Sequence, residues 1–92
     1  MLPSALADLD HGRQFYARHG KSPGDYFLDA LFADIDSLEL YAGLHAMVFG
    51  HHRLLAKRFP YAVYYMVDGD TCIVVRVLDC RQEPAKTTSA LR

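Results

Sequence analysis

The sequence predicts an α+β fold: a hairpin of two antiparallel helices packed on one face of an antiparallel sheet of three to four strands. Three observations carry that prediction. Residues 59–80 hold two β-branched and aromatic runs, Tyr61–Val67 and Thr71–Leu78, on either side of Asp68-Gly69-Asp70. Such residues suit a pleated, half-buried surface, and Asp-Gly supplies the positive φ of a tight turn. Residues 1–43 instead repeat their apolar positions at helical spacing. The order is two helices and then strands, which favours a layered α+β arrangement over βαβ units.

The first helix is expected over Ser4–His19. Ala5, Leu9 and Tyr16, with Leu6 and Phe15 beside them, form its apolar stripe, and Gly20 can stop it. Gly12 in its middle costs about 1 kcal/mol against alanine, so this helix relies on packing. Ser22-Pro23-Gly24-Asp25 reads as the next start, with Ser22 as cap, Pro23 in the first helical position and Asp25 completing a capping box. Phe27, Leu31, Ile35 and Leu38 make the buried face, and Asp29, Asp34, Asp36 and Glu39 mostly take the other side. The short link at Gly20–Ser22 makes the helices antiparallel neighbours. Leu44–Gly50 reads as a packed loop or short strand, and residues 51–58 as a strand before the hairpin. Pro60 belongs at a strand start or an edge, because it cannot donate to a ladder. The polar segment 81–92 either turns helical after Pro84 or frays.

Ninety-two residues with 51% apolar and 23% charged side chains suit one domain over 1–92, divided into a helical hairpin (1–43), a sheet (51–80) and a polar tail (81–92). No apolar run approaches the roughly 18 residues of a membrane span, and no secretion signal opens the chain, so a cytoplasmic location is expected. Cys72 and Cys80 on one strand would stand about 26 Å apart, far beyond the roughly 7 Å of a disulfide, and read as buried thiols. Net charge divides unevenly: residues 1–46 carry −4 and residues 47–92 carry +3. With a net −1 overall, the chain is a poor general binder of nucleic acid.

Two candidate sites stand out. His51, His52, Arg53, Lys57 and Arg58, with Arg76 and Arg81, could hold a phosphate and stabilise negative charge in a cleavage transition state. The same cations equally suit a solvated, salt-bridged strand edge. His45, His51 and His52 lack the i, i+4 spacing of a helical metal pair, so no metal and no cofactor are expected, and surface histidines are the simpler reading. On the hairpin, Tyr61, Val63, Tyr65 and Val67 share one face, and Ala62, Tyr64 and Met66 share the other. The first packs under Phe27, Leu31, Ile35 and Leu38, which leaves the second to be covered by something else.

The ordered residues resemble a known family. Ala5-x-x-Asp8-Leu9, Phe15-Tyr16, Tyr26-Phe27-Leu28, Arg58-Phe59-Pro60-Tyr61-Ala62-Val63-Tyr64-Tyr65, Val74-x-x-Val77-Leu78 and Arg81-x-x-Pro84 are similar to RelE/ParE toxins of type II toxin–antitoxin modules. The ParE-like branch, that of plasmid stabilisation proteins, is the nearer of the two. The resemblance implies a toxin that binds and inhibits DNA gyrase without catalysis and is neutralised by a cognate antitoxin. It implies antitoxin contacts through Tyr61, Tyr64, Tyr65, Met66 and Arg76. The alternative is a ribosome-dependent mRNA endoribonuclease, with Arg53, Lys57, Arg58, Arg76 and Arg81 as catalytic cations. A third is an inactive or truncated relative that retains only antitoxin binding. The chain departs from the family pattern at two places. Relatives place a short strand before the Leu2-Pro3-Ser4-Ala5 lead-in, and here Met1 falls almost at that point: either the true start lies upstream or the first strand is missing, which would leave a sheet edge open to strand exchange or homodimerisation. Asp79 stands where many relatives carry histidine, and 85–92 lack the tyrosine or histidine that nuclease members use for proton transfer.

Overall fold

A computed structural model describes residues Met1–Arg92. Helix α1 spans Pro3–Ala17, with Pro3 in its first turn, where the missing N–H costs nothing. Ala5, Leu9 and Gly12 are its buried positions, whereas Leu6 and Phe15 are exposed. Helix α2 spans Lys21–Asp36, so the predicted start at Ser22 shifts. The chain enters it through Gly20 at φ 118°, and neither a Ser22 cap nor an Asp25 capping box forms. The backbone turn itself, opened by glycine's tolerance of that φ, replaces side-chain capping. After α2 comes a single further turn, α3 (Leu38–Tyr41).

Asp34 departs from its expected solvent-facing role. It is 6% exposed, and its carboxylate accepts the Lys57 backbone N–H at 3.1 Å. That bond ties the end of α2 to the connection between the second and third strands.

Four antiparallel strands follow in the order β1 (Met47–Val48), β2 (His51–Leu55), β3 (Tyr61–Asp68) and β4 (Thr71–Asp79), each paired with its sequence neighbour. The 44–50 segment thus contributes a two-residue strand. Asp68 pairs with Thr71 across the Gly69-Asp70 turn, where Gly69 has φ 60°. Tyr64 pairs with Arg76 and Tyr65 with Val74, so Val75 is an extra residue in β4. The bulge keeps Val74 and Val77 on the same face although they are three positions apart.

The helix-side core joins Ala5, Leu9, Phe27, Leu31 and Leu38 to Leu54, Tyr61, Val63, Tyr65, Val74 and Val77. On the far face, Ala62, Tyr64 and Leu78 are buried against Ala90 and Leu91. The chain's own C-terminal segment thus covers part of the face that was expected to be left for a partner, around Tyr64, while Met66 on the same face stays exposed. Pro84 starts a fourth helix, α4 (Pro84–Ala90), which lays the chain's own C-terminal segment over the sheet. Thr87, 6% exposed, accepts a hydrogen bond from the Gln82 amide, which fastens the start of that cover.

Candidate functional site

Strand register builds the centre of the far face. Arg53 pairs with Tyr64 on β2–β3, and Tyr64 with Arg76 on β3–β4, so two arginines flank one tyrosine across three strands. Tyr64 is 4% exposed beneath α4. The Arg76 guanidinium donates through Nε and Nη2 to both carboxylate oxygens of Asp8, at 2.7 and 2.8 Å. Its Nη1 donates to the Ala90 carbonyl at 3.2 Å, near the end of α4. Asp8 also accepts the Val77 N–H at 3.0 Å. Fork-to-fork pairing of this kind is among the stronger polar contacts a protein makes. The Asp8 hydrogen bond raises the Arg76 guanidinium above its ordinary value. Arg76 therefore joins α1, β4 and α4, a structural task that competes with holding a phosphate.

Arg81 is likewise engaged. Its guanidinium donates to Asp79 at 2.7–3.2 Å, and its backbone N–H donates to the same carboxylate at 2.8 Å. These bonds hold the Asp79 carboxyl below the usual range and push Arg81 up. The acidic departure at Asp79 thus serves to hold Arg81. The exposed Phe15 ring lies between cations, with Arg18 at 5.1 Å and Arg81 at 5.8 Å from its centroid. Lys57 and Arg58 lie in the exposed connection after β2, and Arg53 is half-buried; no carboxylate forms an ion pair with any of the three. The five proposed cations are thus divided between the far face, the β2–β3 connection and the end of β4.

Burial, and secondarily the Asp79 charge, pushes the Tyr61 phenol up to about 12. A phenol whose folded value exceeds its unfolded one stabilises the protein below pH ~10 and loses that contribution as pH rises toward 12. Stability measured by urea titration is expected to fall between pH 10 and 12, and Tyr61→Phe to flatten the fall.

Strand alternation places the hairpin tyrosines correctly, whereas the histidines take roles that spacing did not reveal. Tyr61 and Tyr65 belong to the helix-side core, and only Met66, at 44%, is substantially exposed among the expected antitoxin contacts. The Tyr65 hydroxyl accepts the Gly43 N–H at 3.0 Å and makes a short hydrogen bond with His45 Nδ1. His52 stacks on the Tyr65 ring and donates from Nδ1 to the His45 carbonyl at 2.7 Å. His51 donates to the Phe49 carbonyl at 3.1 Å. His45 and His52 anchor the segment leading into β1, and His51 stays at the surface beside the turn that follows β1. The thiols divide as well: Cys72 is half-buried, whereas Cys80 is exposed, contrary to the expectation of two buried thiols. Asp8 and Asp34 were missed as structural residues; their partners lie 68 and 23 residues away.

The family model described as the ParE toxin of the type II toxin–antitoxin system parDE matches residues 1–84. The chain belongs to the ParE toxin family. A solved chromosomal ParDE toxin–antitoxin system from P. aeruginosa is similar in fold, with a TM-score of 0.74 at 21% identity over 83% of this chain and 87% of that one. No curated protein matches significantly in sequence. This ParE-family chain is a type II toxin, and its family implies a cognate antitoxin as partner. No helix is long and apolar enough to cross a membrane.

Proposed function

We propose that this ParE-family toxin arrests growth by binding and inhibiting DNA gyrase, and that its antitoxin neutralises it by occupying the far side of the sheet. The observation that supports a binder over an mRNA endoribonuclease is the double neutralisation of Arg76 by Asp8 and Arg81 by Asp79. A phosphate would have to compete with a carboxylate already seated on each guanidinium. Met66 is the accessible member of the proposed antitoxin contacts, while Tyr64 and Arg76 lie under α4 and Tyr61 and Tyr65 support the sheet from behind.

Purified chain added to gyrase is expected to inhibit supercoiling, and its antitoxin to restore it. Unaffected supercoiling together with induced cleavages in the ribosomal A site would replace this reading with the endoribonuclease. Normal growth on induction would indicate an inactive member.

A further inference from the structure

Beside the Asp8–Arg76 pair, a cleft of about 310 Å³ opens between α1 and the last residues of β4. His11 and Phe15 wall it from α1, Asp79 and Gln82 from the end of β4 and just beyond, and Tyr61 reaches it from β3. Leu2 and Ser4 meet β4 at Val74 and Val75, before the strand reaches this cleft at Val77–Asp79.

The interior of the cleft is close to neutral and rich in acceptors. Asp8 and Asp79 are each balanced by a guanidinium, those of Arg76 and Arg81. Asp8 Oδ1 accepts one hydrogen bond, from Arg76 Nη2, and Gln82 Oε1 accepts none, so both keep acceptor capacity. Tyr61 is 8% exposed, yet its hydroxyl makes no hydrogen bond within the chain. A buried phenol ordinarily finds a partner, and here the cleft is where one would sit. At the mouth, the Phe15 ring is 39% exposed. Arg18 lies over that ring and, unlike Arg76 and Arg81, has no carboxylate partner.

We propose that this cleft binds a nucleotide whose base carries an exocyclic amino group, with the base against Phe15 and the phosphate on Arg18. The amino group donates to Asp8 Oδ1 or Gln82 Oε1, and the Tyr61 hydroxyl donates to a ring nitrogen. Charge selects this ligand over simpler ones. A cation would bring a further positive charge between Arg76 and Arg81. A bare anion would meet the Asp8 and Asp79 carboxylates inside the cleft and find both neighbouring guanidiniums already paired. A neutral base with an anionic tail fits a balanced interior and one free guanidinium at the mouth. Stacking on an aromatic ring tolerates any base, so the choice among bases falls to the acceptors.

The test is isothermal titration calorimetry of the full chain with AMP, CMP, UMP, adenosine and inorganic phosphate. AMP and CMP are expected to bind, and UMP to bind about fivefold more weakly, the factor one hydrogen bond supplies. Phe15→Ala should weaken AMP binding about fivefold or more, as loss of base stacking does. Tyr61→Phe keeps the core ring and should weaken it by about the same factor as the missing amino group. Arg18→Ala should weaken AMP and leave adenosine unchanged, a difference that a merely structural role would not produce. Circular dichroism checks the fold of each variant. An adenine hexanucleotide that binds less tightly than AMP identifies a free nucleotide as the ligand. Tighter binding of the hexanucleotide, lost in Phe15→Ala, identifies a base within a single strand. Absence of binding by AMP and CMP, equal binding of UMP, or displacement of AMP by inorganic phosphate at equal concentration overturns the proposal. So does an unchanged AMP affinity in both Phe15→Ala and Tyr61→Phe. A chain that leaves gyrase active would bind AMP equally well, so the two readings fail separately.

Discussion

Asp8→Ala is expected to lower stability by about 3 kcal/mol, the low end of the cost of breaking a buried ion pair. The Asp8 side chain is 10% exposed and that of Arg76 26%, so the pair is mostly but not wholly withdrawn from water. Losing the carboxylate strands the Arg76 guanidinium beside Tyr64 and leaves the Val77 N–H without its partner. It also loosens α1 from β4, whose connection across the sheet edge Asp8 provides. For a chain of this length, the loss corresponds to a fall in Tm of roughly 12–24 °C. Thermal and urea unfolding of Asp8→Ala, Arg76→Ala and the double variant measure it. Coupling of about 1–3 kcal/mol between the two positions is expected, and strict additivity would count against the pairing.

Phe27→Ala should cost about 3–5 kcal/mol, as expected for removing an aromatic ring from a packed core. The ring is fully buried, stacked on Tyr16 at 5.2 Å and edge-on to Phe59 and Tyr61 at 5.1 and 5.0 Å. Gly12 makes room for it: a Cβ there would stand 2.5 Å from Phe27 Cζ. Gly12→Ala is therefore expected to destabilise the protein, because overpacking of about 1–3 kcal/mol outweighs the roughly 1 kcal/mol gained in helix propensity. The sign should reverse in the Phe27→Ala background, where the ring is gone and only the propensity remains. Urea unfolding of the four proteins decides this, and a stabilising Gly12→Ala in the parent chain would refute the contact. The glycine that looked like a weakness in α1 is what lets α1 approach α2.

Much of the fold was legible because it rests on short-range rules. The β3–β4 hairpin followed from β-branched and aromatic runs about Asp68-Gly69-Asp70, and the α2 face followed from Phe27, Leu31 and Ile35, with Leu38 carried over into α3. The start of α2 was displaced because backbone geometry at Gly20 did the work assigned to Ser22. The site was less legible. Spacing identified the cations Arg53, Arg76 and Arg81 but not their neighbours, so it could not separate a phosphate site from a set of ion pairs. Asp79 illustrates this: read as a departure from the family pattern, it is the carboxylate that holds Arg81. The local cover over Tyr64 was not foreseen for a related reason, since segment 81–92 has too few apolar residues to look like one. Ala90 and Leu91 suffice once Pro84 sets the helix and Arg76 holds the Ala90 carbonyl.

By itself, the sequence determined the helices, the hairpin and the residues that carry the family pattern, because periodicity and turn chemistry act within a few residues. Tertiary structure alone decided that Asp8 meets Arg76, that Gly12 accommodates Phe27 and that α4 closes over Tyr64. Those contacts join residues that are distant in the chain, and their energies depend on burial and on the direction of individual hydrogen bonds. Both are properties of the assembled layers, and no local pattern encodes them.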